Sequence, residues 1–439
     1  MHMIEKRALA IAGILVAAMS VLAGPSRMDR TRINIGTYCF NKGIRTDAQV
    51  RALKDCGIDF VIDPVDRATL DLFAKHGIGC FLGGVTPWWW GGAGGGRNGN
   101  MAKINPIDQY DAAARKFVDH PAVWAIDIGD EPSALDFEHY GKVVANTLKN
   151  YPNQFPYLNL FPNYALPGKE GEDFSKSQLG AKTYREHIAL YCRHVPLDYI
   201  SYDHYPWAWK CTRANMFENL RIVADACTAT HRSLWIVLQA NTHIEGRTHN
   251  RQMTTNTLRF QANAALAFGA ETISWACWSK GWWEDNAIDT NGCKTVTYEK
   301  LRTVNGELHR LSPDYMRYRR LFTDLVGFPA EYAKQVRQPR LKASSGPAFA
   351  RVRAMDDAAL AVGHMAARDG SGSYAVFIAA CDDPEDEGGT EHEIVLSVLP
   401  ERKVAAVGAD GPVPVVRRDD GTTTLRLRSN RGVLVTAED

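Results

Sequence analysis

The chain reads as an α/β protein, a (β/α)8 TIM barrel followed by a C-terminal antiparallel β-sandwich. Three observations predict this. Strand-like and helix-like segments alternate eight times over roughly three hundred residues, the length such a barrel needs. The strands are near-continuous apolar runs, as in a parallel sheet covered on both faces. After about Phe328 the helical segments give way to short strands between turn residues, as in a small antiparallel sheet domain.

Taken in order, "RINIGTYCF" (32–40) is the first strand and "TDAQVRALKDCG" its helix. "IDFVID" (58–63) precedes "ATLDLFAKHG". "IGCFLGG" (78–84) leads through a Gly-rich loop to "PIDQYDAAARKFVDH". The fourth strand, "WAIDIGDEP" from Trp124, buries Trp124, Ile126 and Ile128, ends on Asp130 and Glu131, and is stopped by Pro132, which has no N–H for a ladder. Ser133 can cap a helix beginning near Leu135. "FPYLNL" (155–160) precedes "TYREHIALYCRH", and "LDYISYDHYP" (197–206) precedes "ANMFENLRIVADACTAT". "SLWIVLQA" (233–240) precedes "TTNTLRFQANAALAFG", and "TISWACW" (272–278) precedes a helix around "TVNGELHRLSPDYMRYRRLF". A doubly wound nucleotide-binding sheet would carry a Gly-rich phosphate turn after its first strand, and "TYCFNKG" has none. The expected domains are a barrel over residues 30–327 and a sandwich over 328–439, whose role is support.

The chain has 439 residues and a formal net charge of +1, which gives no electrostatic case for nucleic acid or acidic polymers. Lys6 and Arg7, an uncharged apolar stretch over residues 8–23, and small residues before Gly24 predict a cleaved signal peptide over 1–23. The expectation is a secreted or periplasmic protein with no stable membrane insertion after cleavage. An oxidising compartment permits disulfides among the nine cysteines, Cys277 with Cys293 or Cys192 with Cys211. Cys39, Cys56 and Cys80 read as buried thiols. No cysteine or histidine spacing suits structural zinc.

Sites in such barrels lie at the C-terminal ends of the strands. Those ends deliver Tyr38, Cys39 and Asn41; Thr86 and the run Trp88-Trp89-Trp90; Asp130 and Glu131; Asn159, Asn163 and Tyr164; Asp203, His204, Tyr205, Trp207 and Trp209. Strand seven adds Gln239, Asn241, His243 and Glu245, and strand eight adds Trp275, Trp278, Glu284 and Asp285. The inventory is acids, amides and indoles, without a phosphate cradle, nucleotide fingerprint or serine elbow, so no cofactor is expected. Indoles stack on sugar faces, and carboxylates and amides bind hydroxyls. Glycoside cleavage requires an acid to protonate the leaving oxygen and a second group at the oxocarbenium-like centre. The expected partner is therefore an oligo- or polysaccharide.

The barrel with "GDEP" at the end of strand four resembles the clan A glycoside hydrolases over residues 30–325. Their Asn-Glu-Pro aligns with it, which implies that Glu131 is the general acid/base. Trp278 matches a sugar-platform position of that clan. Two departures stand out. Asp130 replaces the clan's Asn, and Gln239 stands near the place of its strand-seven Glu nucleophile; Glu245, Asp203 or Glu284 are the substitutes. The Asp-Glu pair is also similar to that of substrate-assisted N-acetylhexosaminidases. There the Glu is the acid and the Asp orients the substrate's acetamido nucleophile, which implies sugar contacts for Gln239 and Tyr205. Trp88, Asn159, Asn163, His204, Tyr205, Gln239, Trp278 and Glu284 are the expected substrate-binding residues, and Glu131, Asp130, Asp203 and Glu245 the catalytic ones.

Plainer roles remain for several of these. Asp130-Glu131 could be an acidic helix cap, Asp203-His204 a hydrogen-bonded pair holding a loop, and Trp88 to Trp90 core. His243 and His249 with Glu245 could take a metal. A barrel without its nucleophile could bind carbohydrate without cleaving it.

Overall fold

The structure is a computed structural model that describes residues 27–87, 98–207, 215–242, 252–281, 283–384, 387, 389–399 and 402–438. The proposed signal segment over 1–23 lies outside these residues. Among the described residues no helix is long and apolar enough to cross a membrane.

Eight parallel strands close a barrel in sequence order, with β8 returning beside β1. They are β1 (Asn34–Tyr38), β2 (Phe60–Asp63), β3 (Gly79–Leu82), β4 (Val123–Asp130), β5 (Phe155–Leu160), β6 (Tyr199–His204), β7 (Ser233–Gln239) and β8 (Ala270–Ala276). Around them run α1 (Asp47–Asp55), α2 (Arg67–His76), α3 (Met101–Ile104), α4 (Ile107–Ala114), α5 (Phe137–Asn150), α6 (Tyr184–His194), α7 (Met216–Thr230), α8 (Thr255–Ala267) and α9 (Val296–Tyr315). Side-chain caps start many of these helices. Thr46, Asp66, Thr183 and Thr254 each accept the backbone N–H three residues on, which satisfies one donor the helix leaves unpaired. Gly77, at φ 66°, closes α2 in the left-handed conformation that suits glycine.

Aromatic rings fill the lower bore. Phe60 stacks on Phe81 at 4.0 Å and Tyr199 on Trp235 at 3.9 Å, and Phe155 and Tyr157 tie the two stacks together. Gly36 makes room for them, since a Cβ there would lie 2.2 Å from the Phe60 ring. The bore is therefore a packed core, and the open end lies at the strands' C-termini.

The C-terminal region is a sandwich of two antiparallel sheets, built from β9 (Tyr318–Val326), β10 (Phe349–Ala354), β11 (Leu360–Ala367), β12 (Tyr374–Ala380), β13 (Glu391–Val398), β14 (Lys403–Gly408), β15 (Gly411–Pro412), β16 (Val416–Arg417), β17 (Thr423–Arg428) and β18 (Gly432–Glu438). One sheet has the order β10-β13-β17-β16 and the other β15-β14-β18-β12-β11-β9. Between β9 and β10 lies the short helix α10 (Ala330–Gln335).

The boundary differs from the sequence expectation. The last barrel helix ends at Tyr315, and β9, expected to continue it, pairs with β11 as an edge strand of the sandwich. "YRRLF" suits either period. The strand is held by Arg320, whose buried guanidinium bonds Asp225 at 2.7 Å and Thr228 at 2.9 Å. The sandwich thus starts at Tyr318 rather than at residue 328.

Candidate active site

The fourth strand carries the centre of the site, and a bulge sets it. Asp127 pairs with Tyr157, but the next registered pairs are Gly129 with Leu158 and Asp130 with Asn159. The extra residue, Ile128, rephases the strand. Asp127 and Asp130 would lie on opposite faces of a regular strand. The bulge sets them opposite Tyr157 and Asn159, which are two residues apart on one face. Glu131 extends the ladder by one bond, its N–H donating to Asn159 O at 2.9 Å. It does so at φ 47°, in the left-handed region that non-glycine residues enter at a cost and that clusters at functional sites. Ser133 then caps a short turn, Ala134–Asp136, which runs directly into α5. The helix thus begins two residues later than expected.

Strand β6 brings the partner. Asp203 is buried, and its carboxyl hydrogen-bonds that of Glu131. Between Asp130 and Asp203 stands Asn159, whose Nδ2 donates to Asp130 Oδ1 at 3.2 Å and to Asp203 Oδ1 at 3.0 Å. The amide oxygen of Asn159 accepts from Ser201 Oγ at 3.0 Å. Ser201 meets Tyr157 Oη at 3.1 Å, and Tyr157 meets Tyr38 Oη at 2.9 Å. Asn159, expected to bind substrate, instead has its polar atoms committed to the acids and to Ser201.

Burial raises the acids. Asp203 is pushed up to about 7 by loss of solvent and then by the charge of Asp130, against the bonds from Glu131 and Asn159. Asp130 is pushed up to about 6 by burial, against the bond from Asn159. Asp127, deeper in the bore, is held well above the usual range by burial and then by Asp130. Carboxyls so close share protons as one unit rather than titrating singly.

Tyr205 completes this wall. Its phenol is raised by burial and then by Asp203, with smaller effects from Cys277, Tyr164 and Asp130. Its ring meets Trp283 edge to face at 4.5 Å.

Other expected site residues fall elsewhere. His204 is buried on the outer face of β6, where its Nδ1 bonds Asn219 of α7 at 3.0 Å. Asn163 meets the same Asn219 through its N–H at 2.8 Å, and its Nδ2 also reaches Asn215 O and Glu218. Together they tie the start of the β5–α6 loop and the end of β6 to the start of α7. Gln239 is fully buried. Its Oε1 accepts Trp207 N–H at 3.0 Å, and its Nε2 donates to Trp207 O and Asn241 O. The side chain that stands where a nucleophile was sought therefore staples two loops and has no face toward a sugar. Trp278 is likewise fully buried, with its ring edge to face with Tyr298 of α9, so it is not a platform at the mouth. Glu284 is exposed, and its backbone pairs with that of Thr242. Trp88 and Glu245, with His243, His249, Trp209 and Cys211, lie outside the described residues. Cys277 and Cys293 are not bridged; Cys277 is buried and Cys293 exposed.

Asp127, Tyr157 and Ser201 were not singled out from the sequence. Strand parity would have found Ser201, two residues before Asp203. Asp127 depends on the bulge, which leaves no mark in the alternation of Trp124, Ile126 and Ile128.

No family model and no curated protein matches the chain. Among solved structures, a catalytic mutant of a GH42 β-galactosidase from G. stearothermophilus is similar, at 9% identity and a TM-score of 0.54, over 94% of this chain and 99% of that one. A structure described as a glycoside hydrolase is similar at 11% identity and a TM-score of 0.50, over 93% of each chain. At such identities the likeness is one of fold. Over more than nine-tenths of its length, barrel and sandwich together, the chain is similar to folds on which glycoside hydrolases are built.

Proposed function

We propose that the protein is a glycoside hydrolase and that Glu131 is its general acid. The observation that carries this reading is the meeting of Asp130, Glu131 and Asp203 at the open end of the barrel, with Tyr205 and Trp283 beside them. Glycosidic oxygen needs a proton as it leaves, and an acid positioned by a second carboxyl supplies it. Asp203 lies in hydrogen-bond contact with Glu131 and so positions that carboxyl for the transfer. The polysaccharide or oligosaccharide substrate enters from the mouth, and the aromatic rings stack on its faces. The segment over residues 1–23 would direct the enzyme to the periplasm or medium.

A second reading concerns the other catalytic group. Enzymes that use two opposed carboxyls set them about 5–5.5 Å or 6.5–9.5 Å apart, with the sugar between. Asp203 touches Glu131, so these two cannot flank a sugar, and Gln239 is spent on Trp207 and Asn241. Both facts favour a nucleophile supplied by the substrate's own acetamido group, oriented by Asp130. Glu245 is the enzyme-borne alternative.

The test is hydrolysis of aryl glycosides, plain hexosides beside N-acetylhexosaminides, by the wild-type protein and Glu131→Gln. With a weakly acidic phenol as leaving group, the reading expects turnover that falls by about 10²–10⁴-fold in the variant. Turnover confined to N-acetylhexosaminides supports substrate assistance, whereas turnover of plain hexosides directs attention to Glu245. Undiminished activity in Glu131→Gln would contradict the assignment.

A further inference from the structure

The hydrogen-bond line beneath the acids has a direction. Ser201 Oγ has one hydrogen and gives it to Asn159 Oδ1. Tyr157, 3.1 Å from Ser201, must then donate to it, and Tyr38, 2.9 Å from Tyr157, must donate to Tyr157. The line crosses the bore from β1 through β5 to β6 and returns to β5, and every bond in it points toward Asn159. Its end effect is to fix which way round the amide lies. With Oδ1 held by Ser201, both N–H bonds of Asn159 face carboxylates, one toward Asp130 and one toward Asp203. Turned over, the amide would set its oxygen against two acids.

We infer that Asn159 is a positioning residue, oriented by Tyr38, Tyr157 and Ser201, that draws Asp130 and Asp203 toward their charged forms, against the loss of solvent around them, and so favours Glu131 as the carrier of the cluster's proton. The inference rests on the reading of this cluster as the catalytic centre, and it adds a role for a residue that does not touch substrate. The chemistry is that of a donor to the charged form of an acid. One amide has two hydrogens, and both go to Asp130 and Asp203. Beyond those two, Asp127 lies deeper, beside Asp130, and Glu131 is bonded to Asp203 and is where a proton is needed. Asn159 is buried at 3% exposure, so water cannot substitute for it without a rearrangement.

Two measurements test this. The first is the pH–rate profile of aryl-glycoside hydrolysis in wild type, Asn159→Ala and Ser201→Ala. Loss of the amide donor makes Asp130 and Asp203 ionise at higher pH, so the acid limb of kcat should move up by about one pH unit in Asn159→Ala. Ser201→Ala keeps the amide but unlocks its orientation, so it should move the limb the same way by less. KM should change little in either variant, because neither side chain contacts the sugar. An Asn159→Ala enzyme that folds as wild type with an unmoved limb overturns the inference.

The second measurement needs no activity. In protein labelled with ¹⁵N at asparagine, the two side-chain N–H signals of Asn159, assigned by their loss in Asn159→Ala, should both shift with pH as the acids they face ionise. Signals indifferent to pH would overturn the inference even in an active enzyme. A protein that shows the shift but hydrolyses no glycoside would keep Asn159 in this role and reject the proposed reaction.

Discussion

Asp203 and Asp130 illustrate how much a single environment can demand of a residue. Both have folded-state values raised from 3.8, to about 7 and about 6, chiefly by burial. A carboxyl raised in this way binds more protons in the native than in the unfolded state. Its contribution to stability is greatest at low pH and is lost as pH rises from about 4 toward about 7. The structure therefore predicts that Asp203→Asn, which keeps an acceptor for Asn159 but carries no charge, melts at a higher temperature than wild type near pH 8. Near pH 4, where the wild-type acids are neutral, the two should melt alike. Thermal denaturation across that range checks this, and equal melting temperatures near pH 8 would contradict the raised values. A site that destabilises its own fold at neutral pH is what function at a buried acid cluster entails.

At the scale of the element, parity along strands decides most of what was legible. Asp203 and His204 are adjacent on β6, so one faces the bore and the other faces α7, and they cannot both line the site. The strand ends, the order of the strands and the acid pair after β4 follow from apolar runs, Pro132 and helix signals. The face of Asp130 does not, because the bulge at Ile128 is a matter of pairing with β5 and not of composition. Gln239 departs from the expected sugar contact for a related reason. Its position at the end of β7 is apparent in the sequence, but its partners come from the backbone of Trp207 and Asn241, on two separate loops. The structure predicts that Gln239→Glu does not install a nucleophile. It removes the donor to two buried carbonyls and introduces a charge, so it should destabilise the protein by roughly 2–5 kcal/mol in denaturant titration. A stable Gln239→Glu enzyme with raised turnover would show that the side chain reaches the substrate.

For the whole molecule, the eight strand–helix units and the all-β tail were apparent from periodicity alone, whereas the seam between them was not. Helices α8 and α9 lie against the sandwich, and the contact is backbone-close. A Cβ on Gly363 would lie 2.1 Å from Ala267 O. Asn263 Nδ2 donates to Asn430 O at 3.0 Å, and the ring of Tyr315 meets Phe377 of β12 edge to face at 5.6 Å. Glu307 of α9, paired with Arg259 of α8 at 2.6 Å, reaches Arg431 across the seam at 2.9 Å. None of these pairings has a local sequence signature, since their partners lie far apart along the chain. They predict that barrel and sandwich unfold in one transition. Gly363→Ala should lower stability by about 1–3 kcal/mol, because the added methyl meets a carbonyl that cannot retreat without moving α8. Two separated transitions in wild type would contradict this account of the seam.

The central claim is that Glu131 delivers a proton to a leaving glycosidic oxygen, and leaving-group dependence tests it most directly. Rates would be measured for wild type and Glu131→Gln on one sugar carrying phenols of graded acidity. If Glu131 is the acid, the variant should be slowed most for the least acidic phenols, which need the proton, and least for the most acidic, which leave without it. The same fractional loss across the series, or no loss, would contradict the claim.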